Sequence, residues 1–124
     1  MRKKVLLIED EETLIEIYKM KFEEEKIDFL VAKTAEEGLE IAKREKPDLI
    51  LLDILLPTSS GIDFLENLRK DPEISNLEVV ALSNFEEPET KKKAFLLGIK
   101  DYLVKADFTP SELIEKVKKY LNLK

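Results

Sequence analysis

The sequence contains no cysteine and no histidine among its 124 residues. Without cysteine the chain has no disulfide, no thiolate nucleophile and no cysteine-ligated zinc site. Without histidine it lacks the commonest general base, the usual zinc and iron ligand, and any phosphohistidine of its own. Chemistry on this chain therefore has to rest on carboxylates, amines and hydroxyls.

Long apolar runs are also missing, so no segment is expected to span a membrane. The basic start of the chain is followed by an apolar run of only four residues and then by acids, which is too short for a signal peptide. We therefore expect a cytoplasmic protein. The net charge of −6 argues against a nucleic-acid surface.

The chain alternates short apolar runs with segments of helical periodicity. The apolar runs predict five strands, over residues 5–9, 28–32, 48–53, 78–83 and 100–104. Helices are predicted over residues 13–25, 34–46, 61–70, 88–98 and 109–121, the second opened by a capping box of Thr34 and Glu37. This alternation predicts an α/β fold, a doubly wound parallel sheet with helices on both faces. We expect one domain over residues 1–124, with nothing attached after the last helix.

Polar side chains follow four of the predicted strands, and parallel strands bring their carboxyl ends to one edge of a sheet. They are Glu9 and Asp10 after the first strand, Asp53 after the third, Ser83 ending the fourth and Lys105 after the fifth. Three crowded carboxylates repel unless a cation offsets them, and all-oxygen ligands favour Mg²⁺. With an ammonium and a hydroxyl beside them, they predict a phosphoryl-accepting site.

In this order and spacing, these residues resemble the receiver domains of two-component response regulators, the CheY-like fold of the chemotaxis response regulator. The resemblance covers the whole chain and implies a five-stranded sheet of order 2-1-3-4-5. The matching positions are the acidic pair Glu9-Asp10, the phosphoacceptor motif Asp53, Pro57 and Gly61, the strand-four hydroxyl Ser83, the strand-five aromatic Tyr102, and Lys105.

The resemblance implies a chemical role for each site residue. Asp53 would attack the phosphohistidine of a separate sensor histidine kinase, or of a phosphotransfer protein, and become an aspartyl phosphate. Glu9, Asp10 and Asp53 would hold Mg²⁺ together with a main-chain carbonyl near Leu55, and Lys105 would contact a phosphoryl oxygen. The chain would be no enzyme beyond its own phosphoryl acceptance and slow dephosphorylation.

The resemblance also implies a switch and a set of partners. Ser83 would move onto the phosphoryl group, and Tyr102 would turn inward into the space vacated. A downstream protein would dock on the face formed by helix four, strand five and helix five. We expect no direct nucleic-acid or membrane partner, and a monomer or a weak phosphorylation-dependent dimer.

Four positions depart from the family pattern. Ala106 stands where proline usually follows the lysine, often with a cis bond, and we expect a trans bond here because a non-proline cis bond costs roughly 2.5–4 kcal/mol. Leu55 and Phe85 are apolar at two positions that are often polar and line the path of the hydrolytic water, which predicts a long-lived phosphoryl group. Ser60 replaces a common aspartate, a change expected to matter only to the loop.

Each feature also has a simpler interpretation. The acids at 9–12 would suit a solvated turn that caps a helix. Ser83 would serve as an ordinary strand-end hydroxyl, and Tyr102 as a half-buried strand tyrosine. The three lysines at 91–93 suit either a solvated helix face or part of a partner surface.

Three other functional classes share parts of the pattern. A flavodoxin-like cofactor binder shares the fold, but its first loop must cradle phosphate and here that loop is acidic. A phosphatase with an aspartyl-phosphate intermediate places a second acid two residues after the nucleophile, where this chain has Leu55. A pseudo-receiver that only binds partners would need none of the intact acidic residues and lysine.

Overall fold

The computed structural model describes residues 2–56 and 60–123. All five predicted strands are present: β1 (Lys4–Ile8), β2 (Asp28–Ala32), β3 (Leu49–Leu52), β4 (Val79–Ser83) and β5 (Asp101–Val104). They form one sheet in the order β2-β1-β3-β4-β5, and every neighbouring pair is parallel. The predicted fold class and strand order are therefore confirmed.

Five helices follow the strands, as the alternating pattern predicted. They are α1 (Glu12–Glu24), α2 (Ala35–Glu45), α3 (Gly61–Lys70), α4 (Pro88–Leu96) and α5 (Pro110–Tyr120), with a short 3₁₀ turn, Lys105–Asp107, between β5 and α5. Predicted and observed ends differ by small shifts. Strand β3, for example, is one residue shorter at each end than predicted. The Asp48 side chain accepts the N–H of Lys4 at 2.8 Å, and Asp53 lies in the loop after the strand.

The sheet has two apolar faces because alternate side chains of a strand point in opposite directions. In β1, Leu6 and Ile8 pack with residues of α2, α3 and α4, whereas Val5 and Leu7 pack with residues of α1 and α5. Helices therefore cover both faces, as predicted. Within residues 2–56 and 60–123, no helix is both long and apolar enough to cross a bilayer.

Side chains cap α2 and α5 at the predicted places. Thr109 and Glu112 form a full capping box at the start of α5. Thr34 accepts the N–H of Glu37 at the start of α2, but the Glu37 carboxylate accepts the N–H of Lys33 rather than that of Thr34. The predicted capping box of α2 is therefore only half correct, because the glutamate reaches one residue further back.

Candidate functional site

The carboxyl ends of β1, β3, β4 and β5 place the predicted polar residues together. Glu9 and Asp53 follow strands whose last residues, Ile8 and Leu52, are paired across the sheet. Ser83 ends β4, and Lys105 follows β5 directly. These four side chains meet around the Asp53 carboxylate, as the parallel topology predicted.

Both oxygens of the Asp53 carboxylate have partners. Oδ1 accepts the Ser83 hydroxyl at 2.8 Å and the main-chain N–H of Leu55 at 3.2 Å. Oδ2 accepts the Lys105 ammonium at 2.9 Å. The residue is only 7% exposed, so its carboxylate is held in one orientation at the mouth of the site.

Lys105 joins Asp53 to the acidic turn after β1. Its ammonium lies against Oε1 of Glu9 as well as Oδ2 of Asp53. Burial on its own would lower the pKa of Lys105, but the contacts with Glu9 and Asp53 outweigh burial and raise that pKa above its ordinary value. Lys105 is therefore a permanent positive charge beside the Asp53 carboxylate.

Glu9 is a buried acid, only 1% exposed. Its Oε2 accepts the N–H groups of Asp10 and Glu11, each at 3.1 Å, so this oxygen fixes the turn after β1. No side chain caps α1. The alternative of a solvated capping turn is therefore wrong for Glu9, although Asp10 and Glu11 are exposed.

The acidic cluster has the composition of a divalent-cation site. Glu9, Asp10 and Asp53 each offer a carboxylate oxygen, and these oxygens lie within 4.8 Å of one another. Three carboxylates and one ammonium leave a net charge of about −2, which a divalent cation offsets. Oε1 of Glu9 is buried, has no neutral hydrogen-bond donor among the described residues and already contacts a cation, the Lys105 ammonium. The residues present fit Mg²⁺.

The loop after β3 contains the remaining motif positions. Pro57 lies outside the described residues. A Cβ at Gly61 would stand 2.8 Å from the main-chain oxygen of Asp53 and from Cα of Ile54, so only glycine fits there. Ser60 caps α3 by accepting the N–H of Asp63 at 3.2 Å, a helix-capping role that goes beyond the loop role predicted for it. The metal-binding role of the Leu55 carbonyl stays a prediction.

The loop after β4 connects Ser83 to Tyr102. The Phe85 N–H donates to the Ser83 hydroxyl at 3.2 Å, and the Tyr102 hydroxyl donates to the Phe85 carbonyl. Tyr102 is 7% exposed, and its burial raises its pKa above the ordinary value. The ring is therefore inward in this structure, and the predicted movement of Tyr102 on phosphorylation stays a prediction.

Two contacts in this region were missed by the sequence analysis. The Lys91 ammonium lies 5.2 Å from the centroid of the Tyr102 ring, at cation–π distance, whereas Lys92 and Lys93 are exposed. Asn84 accepts the N–H of Ala106 at 2.9 Å through its side-chain oxygen. The sequence indicates only the need for an acceptor, since alanine in place of proline brings an N–H, and does not identify Asn84.

The Lys105–Ala106 bond is trans, as predicted. The two apolar residues that depart from the family pattern differ in exposure. Leu55 is 57% exposed, whereas Phe85 is partly buried against the core. Neither observation tests the predicted lifetime of a phosphoryl group, which stays a prediction.

A family model described as the response regulator receiver domain matches residues 5–118. Among curated proteins, the chain is 35% identical over 121 residues to the alkaline phosphatase synthesis transcriptional regulatory protein PhoP of Bacillus subtilis, covering 98% of this chain and 49% of that protein. It is 30% identical over 121 residues to the polar-differentiation response regulator DivK of Brucella anthropi, covering 98% of each. The chain spans about half the length of the first curated relatives it matches.

Solved structures show the same architecture. A CheY-like response regulator receiver domain protein from Methanospirillum hungatei matches with a TM-score of 0.89 and 27% identity, covering 98% of this chain and 95% of that one. A response regulator from Chloroflexus aurantiacus, also 27% identical, has a TM-score of 0.85 over 98% of this chain and 99% of that one. These comparisons favour the receiver interpretation over the flavodoxin-like and phosphatase alternatives.

Proposed function

The chain belongs to the response regulator receiver domains of two-component signalling, and we propose that it works as a phosphorylation-dependent switch with Asp53 as the phosphoryl acceptor. The observation that carries this proposal is the Asp53 carboxylate, with Ser83 on one oxygen at 2.8 Å and Lys105 on the other at 2.9 Å. These two groups would meet the oxygens of a phosphoryl group once it is attached to Asp53.

In the proposed reaction an Asp53 carboxylate oxygen attacks the phosphorus of a phosphohistidine on a separate protein. The new O–P bond forms as the P–N bond breaks, and the imidazole nitrogen leaves with the electron pair and takes up a proton. Lys105 holds a positive charge beside the accepting carboxylate and stabilises the negative charge of the incoming oxygens. These 124 residues include no histidine, so the donor histidine lies outside them.

The acidic cluster would hold the Mg²⁺ that receiver domains bind. Glu9, Asp10 and Asp53 are the proposed side-chain ligands, joined by a main-chain carbonyl near Leu55. When bound, the ion supplies a charge that offsets repulsion between the acids and the phosphoryl oxygens. Glu9 contributes a buried oxygen held in place by the turn, whereas Asp10 contributes an exposed carboxylate that can adjust.

Phosphorylation would replace the single negative charge of the Asp53 carboxylate by a phosphoryl group that carries about −1.5 to −2. Ser83, Phe85 and Tyr102 form the chain of hydrogen bonds that leads from this carboxylate to the side of α4. We infer that the added phosphoryl oxygens rearrange these hydrogen bonds and thereby change the face formed by α4, β5 and α5, where a downstream protein would dock. Phe95 of α4, one turn after the Lys91 that contacts Tyr102 of β5, is 46% exposed and available to such a partner.

The partners follow from the chemistry. The donor would be a sensor histidine kinase or a phosphotransfer protein, and we expect the reaction to occur in the cytoplasm. The chain would catalyse only its own phosphorylation and slow dephosphorylation, with no other substrate. We expect a monomer, or a weak dimer that forms on phosphorylation.

The loss of the phosphoryl group is expected to be slow. Leu55 and Phe85 offer no polar atom of their side chains to orient an attacking water. Purified phospho-protein should keep its label for much longer than seconds at room temperature, as followed by intact mass. Complete loss within seconds would show this expectation to be wrong.

Intact mass after incubation with acetyl phosphate and Mg²⁺ tests the proposed function. Wild-type protein should gain one phosphoryl group, and the gain should need Mg²⁺ and disappear in Asp53→Asn. Asp63→Asn, which changes an exposed aspartate at the start of α3, is the matched control and should still be labelled. If folded wild-type protein shows no adduct, the chain is a pseudo-receiver that binds partners without phosphorylation.

A further inference from the structure

Residue 106 brings a hydrogen-bond donor that the family pattern lacks at this place. Proline has no main-chain N–H, whereas Ala106 has one and lies in the 3₁₀ turn Lys105–Asp107. The N–H groups at the start of a helical turn have no partner within the turn. The Asn84 side-chain oxygen supplies the missing acceptor at 2.9 Å.

This hydrogen bond connects two loops that both end at the acceptor site. Ser83 of β4 is paired with Val104 of β5, so Asn84 and Lys105 are the next residues on either side of that ladder. The Asn84 side chain reaches one residue beyond Lys105 to the Ala106 N–H. The contact therefore extends the pairing of β4 and β5 past the ends of the strands.

The residues next to this bond are the two that contact Asp53. Ser83, directly before Asn84, donates to Oδ1, and Lys105, directly before Ala106, donates to Oδ2. If the two loops slid apart, one of these groups would move away from the carboxylate. Asn84 itself makes no hydrogen bond to Asp53 among the described contacts, so any effect on the site passes through its neighbours.

We propose that Asn84 is a positioning residue, which by accepting the Ala106 N–H holds Ser83 and Lys105 together on the two oxygens of Asp53. This inference rests on the phosphoryl acceptance proposed above. It also gives a physical reason for the departure at residue 106: Asn84 takes over the anchoring of the lysine turn. Both residues are exposed, so the bond competes with water and contributes modestly.

A double-mutant cycle on the phosphorylation rate tests the proposal. Asn84→Ala should slow labelling by acetyl phosphate with Mg²⁺ by about two- to tenfold, the range that one net hydrogen bond allows. In an Ala106→Pro background the same change should have no further effect, because the donor is already gone. Asn76→Ala, in an exposed turn at the opposite edge of the sheet, is the control and should leave the rate unchanged.

Equal slowing by Asn84→Ala in both backgrounds would overturn the proposal, since the effect would then not depend on the Ala106 N–H. An unchanged rate in Asn84→Ala would overturn it as well. Thermal unfolding of each variant shows whether it is folded. If Ala106→Pro fails to fold, the second measurement below decides on the Asn84→Ala protein alone.

The second measurement is hydrogen exchange by NMR, which needs no phosphorylation. In Asn84→Ala both the Ala106 amide and the Lys105 ammonium should exchange faster, because the turn and its lysine are released together. Faster exchange at Ala106 alone would show a local bond without a positioning role. If wild-type protein takes no phosphoryl group, the proposed function fails, while the Lys105 exchange still decides whether Asn84 positions this lysine.

Discussion

Helices α3 and α4 cover the same face of the sheet, but they are packed very differently. Helix α3 buries five residues: Gly61, Ile62, Phe64, Leu65 and Leu68. Helix α4 is nearly the same length and buries only Ala94, while its Phe95 and Leu96 are largely exposed. Helix α3 is therefore part of the rigid core, whereas α4 rests on it with few apolar contacts.

The two helices also differ at their ends. The Ser60 side chain caps α3, but Glu87 at the start of α4 makes no capping bond. The far end of α4 is held by Arg69 of α3, whose guanidinium donates to the carbonyls of Leu97 and Gly98 at 2.7 and 3.1 Å. Helix α4 is thus anchored at its carboxyl end, whereas no side chain caps the N–H groups at the end nearest Asp53, as the proposed switch would require.

Replacing one phenylalanine in each helix should give the largest difference in stability between α3 and α4. Phe64 in α3 is fully buried, whereas Phe95 in α4 is 46% exposed. Phe64→Ala should lower the free energy of unfolding by about 3–5 kcal/mol, because it leaves a cavity in the core. Phe95→Ala should lower it by less than about 1 kcal/mol.

Urea unfolding of both variants, followed by circular dichroism, measures this pair. Similar losses of stability would mean that α4 is packed as firmly as α3.

Removal of the Arg69 contacts should have the next largest effect. The guanidinium also donates to the carbonyls of Ser75 and Leu77, so Arg69→Met leaves four acceptors without their donor. We expect a loss of about 1–3 kcal/mol in the free energy of unfolding. Amide exchange should accelerate at the carboxyl end of α4 before it changes in α3.

Lys70→Met is the matched control, since the neighbouring lysine is exposed and should tolerate the change. If Arg69→Met altered exchange equally in both helices, the guanidinium would be a general core contact and not an anchor of α4.

A third effect on stability appears only at high pH and concerns the loop before the amino end of α4. Burial raises the pKa of Tyr102, whose hydroxyl binds the Phe85 carbonyl in the loop before α4. Because the pKa of Tyr102 is higher in the folded state, its neutral hydroxyl stabilises the fold fully at pH values below the unfolded-state pKa of about 10. This contribution is lost as the pH rises through the folded-state pKa. Unfolding free energy should therefore fall above about pH 10.

Tyr102→Phe removes this titration, so its stability should fall less steeply than that of wild type between about pH 10 and 12. The raised pKa of Lys105 acts in the same direction and remains in both proteins. Urea unfolding at several pH values measures the two slopes. Parallel curves would show that the Tyr102 hydroxyl does not contribute to alkaline sensitivity.

The smallest expected effect is a gain in stability at the amino end of α4, where no side chain caps the N–H groups. Aspartate is a better N-cap than glutamate because its shorter side chain reaches the N–H groups of the first turn. Glu87→Asp keeps the charge, exchanges the 2.8 Å bond from the Thr90 hydroxyl for one from a first-turn N–H, and should raise the unfolding free energy by about 0.5 kcal/mol. Slower amide exchange confined to the first turn of α4 would confirm the cap, and exchange as fast as in wild type would contradict it.

The predictability of the site differs between strand ends and loops. Glu9, Asp53, Ser83 and Lys105 were identified correctly as neighbours because each follows an apolar run, and parallel strands place such residues at one edge. Gly61 was identified only as a motif position. Its steric reason, a close approach to the main chain of Asp53, depends on how the loop after β3 folds back.

Contacts between residues that are far apart in the chain were not predictable in this way. Arg69 is one of several basic residues on a helix, and nothing in its local sequence indicates that four carbonyls converge on it. Lys91 was one of three adjacent lysines, and only the packing of α4 against β5 distinguishes it by placing it over Tyr102. Asn84 finds its partner 22 residues away.

By itself the sequence determined the alternation of strands and helices, the two-faced sheet and the set of groups at its carboxyl edge. Those features depend on the local periodicity of apolar residues and on chain direction, both of which can be read directly. The tertiary structure decided which oxygen of Asp53 each partner takes, why Glu9 is buried, and how loosely α4 lies beside α3. These outcomes depend on distances of a few ångströms between residues far apart in the chain, and such distances are set only when the whole core packs.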